Sequence, residues 1–323
     1  MMQPEISVVI PLYNKEKHIA RTIDSVLSQT LQNFELIIVN DGSTDNSAPV
    51  VNTYKDSRIH LINQPNQGVS AARNQGIRNA RSNVIAFLDA DDEWKPDFLE
   101  IILHMYQKYP LAGLYASAFE LDYHTKRIVP KFAGLPLSTS GGIIEDYFKT
   151  TALSGRSPIS SSSFAARKSI LEQAGLFNPA SHQAEDQELW GKIAFMGFPL
   201  VYSPNLSAVI HVIADNKATD KYYSLEHLPF VDYIYALPED KVKSYEYYPG
   251  LMQYIELLEL VTAYKSIGYG NMTGAKRNLS SVHSDIFTIQ KYALLSLTYI
   301  PFNFGRIIPK IYLKIKKHTN IYH

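Results

Sequence analysis

Ile6–Leu12 (ISVVIPL), Phe34–Val39 (FELIIV) and Asn83–Leu88 (NVIAFL) are short apolar runs, each ended abruptly by polar residues. Runs of this length, rich in Ile and Val, suit strands buried on both faces. The segments between them keep a helical period. Ile19, Ile23, Val26 and Leu27 share one helical face, and Ser70 to Arg81 places Ala71, Ala72 and Ile77 on another. Arg58–Ile62 reads as a further strand, and Ser43, Thr44 and Asp45 are placed to cap a short helix before it. Strands covered on both sides need helices above and below. The alternation therefore predicts an α/β fold, a mainly parallel sheet with helices on both faces. Ligands of such sheets bind beyond the carboxyl ends of the strands. Tyr13, Asp41, Asp89 and Asp91 each follow a strand closely, so the topology sends them to one edge.

The pattern loosens downstream. Gly113–Glu120 and Ser162–Arg167 read as strands, Lys168–Gly175 as a short helix, and Glu185–Met196 as a helix with Leu189, Ile193 and Met196 on one face. Beyond about Asp215 the chain turns helical and tyrosine-rich. Leu251–Tyr264, for example, sets Leu251, Ile255, Leu258 and Val261 on one face. The expected organisation is a first domain over 1–215 and a C-terminal helical region over 216–323.

Charge and cysteine usage exclude several functions. A formal net charge of zero gives no field that would favour nucleic acid. With no cysteine there is no disulfide, thiolate nucleophile or Cys-based metal site, which suits a reducing cytosol. The start, Met-Met-Gln-Pro-Glu, has no basic segment or cleavage site, so a cytoplasmic location is expected. Near the other end, Tyr292 to Gly305 is uncharged and mostly apolar, and Arg306, Lys310, Lys314, Lys316 and Lys317 follow without an acid among them. The apolar stretch is too short to span a bilayer. It fits a helix lying on an anionic membrane surface, at the inner face, and equally a terminal helix docked on the domain with a solvated basic end.

Four segments carry polar groups suited to chemistry. In Phe87-Leu88-Asp89-Ala90-Asp91-Asp92, two carboxylates two residues apart leave a strand end and can aim at one hard cation, Mn2+ or Mg2+. Helix capping by Asp91 and Asp92 is the alternative there. Asp41, in Asn40-Asp41-Gly42-Ser43, could accept hydrogen bonds from a base or ribose, or serve only the turn. In Asn66 to Asn74, Gly68 precedes a helix and Arg73 could reach a base or phosphate, unless it is merely an exposed helix residue. Glu185-Asp186 opens a helix, as a general base or as two capping acids.

Taken in order, SVVIPLYN, SVLSQT, FELIIVNDGSTDNS, NQGVSAARNQG, VIAFLDADDEW, SSSFAARKSILEQAGLFN and AEDQELW resemble the family 2 glycosyltransferases of the GT-A fold, from about Ile6 to Ser203. The resemblance implies an inverting enzyme that moves one sugar from a nucleotide-sugar, a UDP-sugar, to a hydroxyl on a glycan or lipid-linked acceptor. It assigns Pro11 and Tyr13 to the base pocket, Asp41 and Arg73 to the base, Asp89 to the ribose, Asp91 to a divalent metal, and Asp186 to the role of base. Asn40 departs from the family, which often has an acid there. The Gln-x-x-Arg-Trp signature of processive synthases is missing, which argues for transfer of single sugars. His211 falls near where some relatives place a residue by the diphosphate; a structural hydrogen bond is its other reading. A sugar-nucleotide nucleotidyltransferase would need a Gly-rich loop where Pro11-Leu12-Tyr13-Asn14 stands. A catalytically silent partner subunit is the remaining alternative, and the intact acids argue against it.

Overall fold

The computed structural model describes residues 3–136, 138, 140–181, 183–213 and 226–299. The expected strands form where the apolar runs lie: β1 (Ile6–Leu12), β2 (Phe34–Asp41), β3 (Ile59–Gln64) and β4 (Val84–Phe87). Every residue of β2 and β4 is buried, as a strand covered on both faces requires. Downstream follow β5 (Glu93–Trp94), β6 (Leu114–Asp122), β7 (Arg127–Ile128), β8 (Gly142–Ile143), β9 (Phe164–Arg167) and β10 (Leu200–His211). They join one sheet in the order β3-β2-β1-β4-β9-β6-β10-β5, with β7 on β6 and β8 on β10. The sheet is mixed. β1 pairs parallel with β2 and β4, β2 with β3, and β6 with β10, while β9 runs against both of its neighbours.

Helices cover both faces. Ile6, Val8, Ile10 and Leu12 pack with Ile19, Ile23 and Val26 of α1 (Ile19–Leu27), Val51 of α2 (Ser47–Asn52), and Phe98 and Ile102 of α4 (Phe98–Lys108). On the other face Val9 meets α3 (Val69–Asn79), and Phe87 stacks on Phe164 at 4.9 Å. Phe164 in turn meets Trp190 of α7 (Glu185–Phe195) edge-on at 5.4 Å. α6 (Lys168–Gln173) follows β9 directly, as its sequence suggests. Of the residues placed to cap α2, Asp45 does so, its Oδ1 accepting from the Ser47 N–H at 2.9 Å. α2 starts at Ser47, and Ser43 and Thr44 are drawn instead to Asn14 in the preceding loop. Asp97, not Asp91 or Asp92, takes the N-cap position of α4.

The chain divides into two compact units. The first comprises Met1–Glu145 and Pro158–Lys221, the second Asp146–Ser157 and Tyr222–His323. Residues 146–157 thus fall in the second unit, which among the described residues is helical throughout: α5 (Tyr147–Ser154), α8 (Pro229–Tyr235), α9 (Glu239–Lys243), α10 (Tyr248–Gly268), α11 (Met272–Ser280) and α12 (Thr288–Leu297). α10 carries the Leu251, Ile255, Leu258 and Val261 face read from its sequence, but it is buried nearly all round. Even Glu259 is fully buried, held by the Asn278 amide at 2.5 Å and His227 Nδ1 at 2.8 Å. Among the described residues no helix is long and apolar enough to cross a membrane.

Gly76 lets α3 lie close on the sheet. A Cβ there would sit 2.3 Å from Cγ1 of Val9, in the middle of β1. Gly76→Ala should therefore lower stability by roughly 1–2 kcal/mol in urea unfolding, the overpacking outweighing alanine's helix preference. A midpoint equal to or above that of the wild type would show that α3 can lift off without cost.

Candidate active site

The loop after β1 is built to be rigid. Asn14 takes a left-handed φ of +51°, which asparagine tolerates, and its side-chain oxygen accepts from the Thr44 N–H at 2.8 Å. The Asn14 N–H donates to Ser43 Oγ at 3.1 Å, and the Lys15 N–H to Ser47 Oγ at 2.7 Å. These bonds lock the β1 loop to the β2 loop. Tyr13, 42% exposed, offers a ring at the sheet's carboxyl edge, and Pro11 is half-buried just before it.

Asp41 is buried at the end of β2 and its carboxylate is fully engaged. Oδ1 accepts from the Gln64 amide at 2.8 Å and the Gln67 N–H at 2.9 Å, and Oδ2 from the Gly68 N–H at 2.8 Å. It thereby fixes the turn that starts α3. Gly42, at φ +70°, is required beside it, because a Cβ would lie 2.8 Å from the Asn66 nitrogen. Asn40 bonds Asn63 and the Ser43 N–H.

Arg73, on the first turns of α3, is the hub. Its guanidinium is 3% exposed and forks between Asp89 Oδ1 and Glu185 Oε1, both at 2.8 Å. The Phe177 ring lies 5.1 Å below it, and Asn74 clamps that residue by bonding both its N–H and its carbonyl. Burial favours the neutral form of Asp89, but the Arg73 charge and hydrogen bond, with the Ser161 hydroxyl at 2.7 Å, outweigh it and hold the carboxyl below its usual range.

Two residues on, Asp91 Oδ2 lies 2.8 Å from the Lys15 ammonium, and its carbonyl accepts from Arg21 at 2.6 Å. Asp92 turns inward and accepts from the Ser162 hydroxyl at 2.5 Å and the His211 N–H at 2.9 Å. Burial, then the charges of Asp91 and Asp89, push its carboxyl well above the usual range. The His211 ring sits 3.0 Å from Glu93 Oε1. Burial first, and Arg21 next, lower its affinity for a proton.

Asp186 stands in the first turn of α7, half-buried, after Ala184 at a left-handed φ of +57°. A non-glycine residue in that region stores strain, here at the residue that precedes the Glu185-Asp186 pair. Burial, followed by repulsion from Glu185, pushes Asp186 up to about 7.

Arg73 thus gathers Asp89 and Glu185, with Asp186 beside the latter, while Lys15 ties the β1 loop to Asp91. Asp41 is tied to the α3 turn instead. Lys15, Arg21, Ser161 and Ser162 were not singled out from sequence, and Asp92 was read there only as a capping alternative. The serines lie in the run Ser160–Ser163, which reads as low complexity, and no local pattern distinguishes Lys15 from a solvated lysine.

With the edge described, comparison with known proteins can be drawn. The sequence model of Glycosyl transferase family 2 matches residues 7–173, just over half of the chain. The chain belongs to glycosyl transferase family 2. Among family relatives, an uncharacterized glycosyltransferase of Nostoc sp. is 41% identical over 127 residues, 38% of this chain and 39% of the relative. Glycosyltransferase GlyA of Streptococcus pneumoniae is 38% identical over 111 residues, 34% of this chain and 16% of the relative. The matched parts thus span well under half the length of these relatives. Among solved structures, residues 1–349 of S. aureus TarS in complex with UDP-GlcNAc superpose with a TM-score of 0.70 at 15% identity, over 99% of this chain and 93% of that one. The mannosyltransferase PcManGT of Pyrobaculum calidifontis, in complex with GDP-Man and Mn2+, gives 0.58 at 17% identity, over 98% and 87%. The fold is GT-A, with a C-terminal helical region.

The raised proton affinity of Asp186 has a consequence for stability in this family member. Its folded value, about 7, lies above the ordinary 3.8, so between those values the folded chain holds a proton that the unfolded chain has lost. Asp186 then withdraws stability as pH rises through that window. Asp186→Asn should gain on the wild type in urea midpoint as pH rises from about 4 to about 7, and the gap should level off above that. A gap that stays constant with pH would mean that Asp186 titrates as an ordinary carboxyl.

Proposed function

We propose that this protein is an inverting glycosyltransferase that moves a single hexosyl or N-acetylhexosaminyl unit from a UDP-sugar to a hydroxyl of a glycan or lipid-linked acceptor, in cell-surface polysaccharide synthesis. The observation that carries the reading is the Arg73-centred cluster. It sets a carboxylate held ionised, Asp89, and a carboxyl poised near neutrality, Asp186, at the carboxyl edge of one GT-A sheet. A general base works best with a proton affinity near the operating pH. Asp186 takes the acceptor's proton as its oxygen attacks the anomeric carbon, and the donor's diphosphate leaves from the opposite face. No enzyme nucleophile takes part. The Tyr13 ring stacks on uracil, with Pro11 beside it. Arg73 lies by the base and Asp89 by the ribose. Asp41 contributes through the 67–68 turn that it holds, where the Gly68 backbone allows close approach.

A divalent cation is part of this reading, and the residues present fit one. Among the described residues no three His, Cys, Asp or Glu side chains gather into a closed cage. Asp91 instead presents a carboxylate already matched to a cation, the Lys15 ammonium. One or two carboxylates completed by substrate phosphates is how Mg2+ and Mn2+ are commonly held. Asp91 would hold the ion, which would supply electrostatic stabilisation to the departing diphosphate.

α12 supports a peripheral place at the inner face of a membrane. Ile289 is 79% and Tyr292 62% exposed on it. The acid-free basic segment from Arg306 to Lys317 lies outside the described residues, and in sequence it is separated from α12 by Thr298 to Gly305. Replacing both residues by Ser should reduce co-sedimentation of the full chain with anionic vesicles while leaving its unfolding midpoint unchanged. Undiminished pelleting would remove α12 from the membrane reading.

The activity is tested by nucleoside diphosphate release from UDP-, GDP- and dTDP-sugars with Mn2+, Mg2+ or chelator. One donor should be turned over. Asp91→Ala and chelator should each abolish turnover, and Asp186→Asn should lower it by roughly a hundredfold or more while leaving UDP binding intact. Turnover that survives in Asp186→Asn would remove Asp186 as the base. UDP binding without turnover of any donor, with or without acceptors, would point to a silent partner subunit.

A further inference from the structure

Lys15 is a buried cation at this edge to which neither the sequence motifs nor the proposed mechanism gives a role. Its ammonium sits 2.8 Å from Asp91 Oδ2, and the two side chains are only 10% and 12% exposed. An ion pair withdrawn from water this far holds much more firmly than a surface one. Its backbone is fixed, because the Lys15 N–H donates to Ser47 Oγ at 2.7 Å. A second positive charge shares the corner, where Arg21 donates to the Asp91 carbonyl at 2.6 Å. The carboxylate assigned to a divalent cation is therefore already neutralised by the chain itself.

We propose that Lys15 is a resident counter-cation of Asp91, which makes divalent-cation binding there conditional on a nucleoside diphosphate. The inference rests on the reading of Asp91 as the metal ligand. A free divalent ion approaching Asp91 must displace the ammonium and also meets the Arg21 charge, with a single carboxylate in return. A diphosphate changes the balance, because its oxygens offer the ammonium a multiply charged partner. The flexible four-carbon stem lets Lys15 turn from carboxylate to phosphate without moving the clamped backbone. Asp91 is then released to the cation at the moment when phosphate oxygens are present to complete its shell. Because linkage is reciprocal, cation and nucleotide each tighten the other by the same factor, and Lys15 sets part of that factor.

The test measures Mn2+ affinity from the paramagnetic signal of the free aquo ion, with and without saturating UDP, in wild type and Lys15→Met. Without UDP, Lys15→Met should bind Mn2+ on the order of tenfold more tightly than wild type, about 1.4 kcal/mol. The tightening produced by UDP should be smaller in the variant by the same factor. Equal Mn2+ affinities and equal UDP effects in the two proteins would overturn the role of Lys15 while leaving Asp91 as a metal ligand. Failure of wild type to bind Mn2+ even with UDP would overturn the metal reading and this inference together. A second cycle needs no metal. In chelator, Asp91→Asn removes the carboxylate that faces the ammonium, so the variant should bind UDP several-fold more tightly than wild type, and the gain should vanish in Lys15→Met/Asp91→Asn. A gain retained in the double variant would mean that the carboxylate alone repels the diphosphate, against the proposal. Unfolding midpoints of all variants separate these effects from loss of fold.

Discussion

The arrangement of the site depends on one buried guanidinium. Arg73 is almost wholly removed from water, and it keeps its charge because Asp89 and Glu185 face it from two sides. Removing one partner from a buried pair strands the other charge, at about 3–5 kcal/mol. The fork therefore dictates where the end of β4 and the start of α7 must lie. A lysine could not do the same, since it lacks the planar pair of donors that reaches both carboxylates. The pedestal is built as carefully, with Phe177 under the guanidinium and both polar backbone groups of that residue clamped by Asn74. Three successive residues, Ala72-Arg73-Asn74, thus serve core, charge and loop in turn.

Around this point the same functional group takes on different characters. Asp89 is held ionised by Arg73, whereas Asp92, facing inward without a cation, is driven toward its protonated form. Asp186 is raised as well, to about 7. The differences come from burial and neighbours. Asp92 receives a hydroxyl and a backbone N–H, but these do not offset its burial and the charges of Asp91 and Asp89 beside it.

The sheet was legible in the sequence where burial on both faces left unbroken apolar runs, as in β1, β2 and β4. β10 was harder to read. Pro204 and Asn205 interrupt it at a bulge, where the register against β6 shifts between Ser203 and Leu206. The short β5 carries no periodicity at all, yet its pairing with β10 brings Glu93 to His211. The candidate acids were legible because carboxylates after strands are conspicuous. Their partners were not. Lys15 reaches Asp91 across 76 positions, and Ser161 and Ser162 reach Asp89 and Asp92 across more than 70, or 70, respectively. Such contacts leave no local trace. Capping was legible for Asp45, which bonds the Ser47 N–H, but not for Ser43 and Thr44, for which Asn14 competes from a neighbouring loop.

The charges of the edge close on themselves. Arg73 is matched by Asp89 and Glu185, Lys15 by Asp91, and Arg21 stands against the Asp91 carbonyl. With Asp92 driven toward its neutral form, no large excess of either sign remains among these groups. An edge matched in this way gives little attraction to a lone anion or a lone cation, since each must break an existing pair to enter. A diphosphate and a divalent cation entering together bring charges that largely cancel, and they can exchange partners with Lys15 and Asp91 while the Arg73 fork stays intact. The same pairing that stabilises the edge thus favours joint entry over separate entry in the proposed reading.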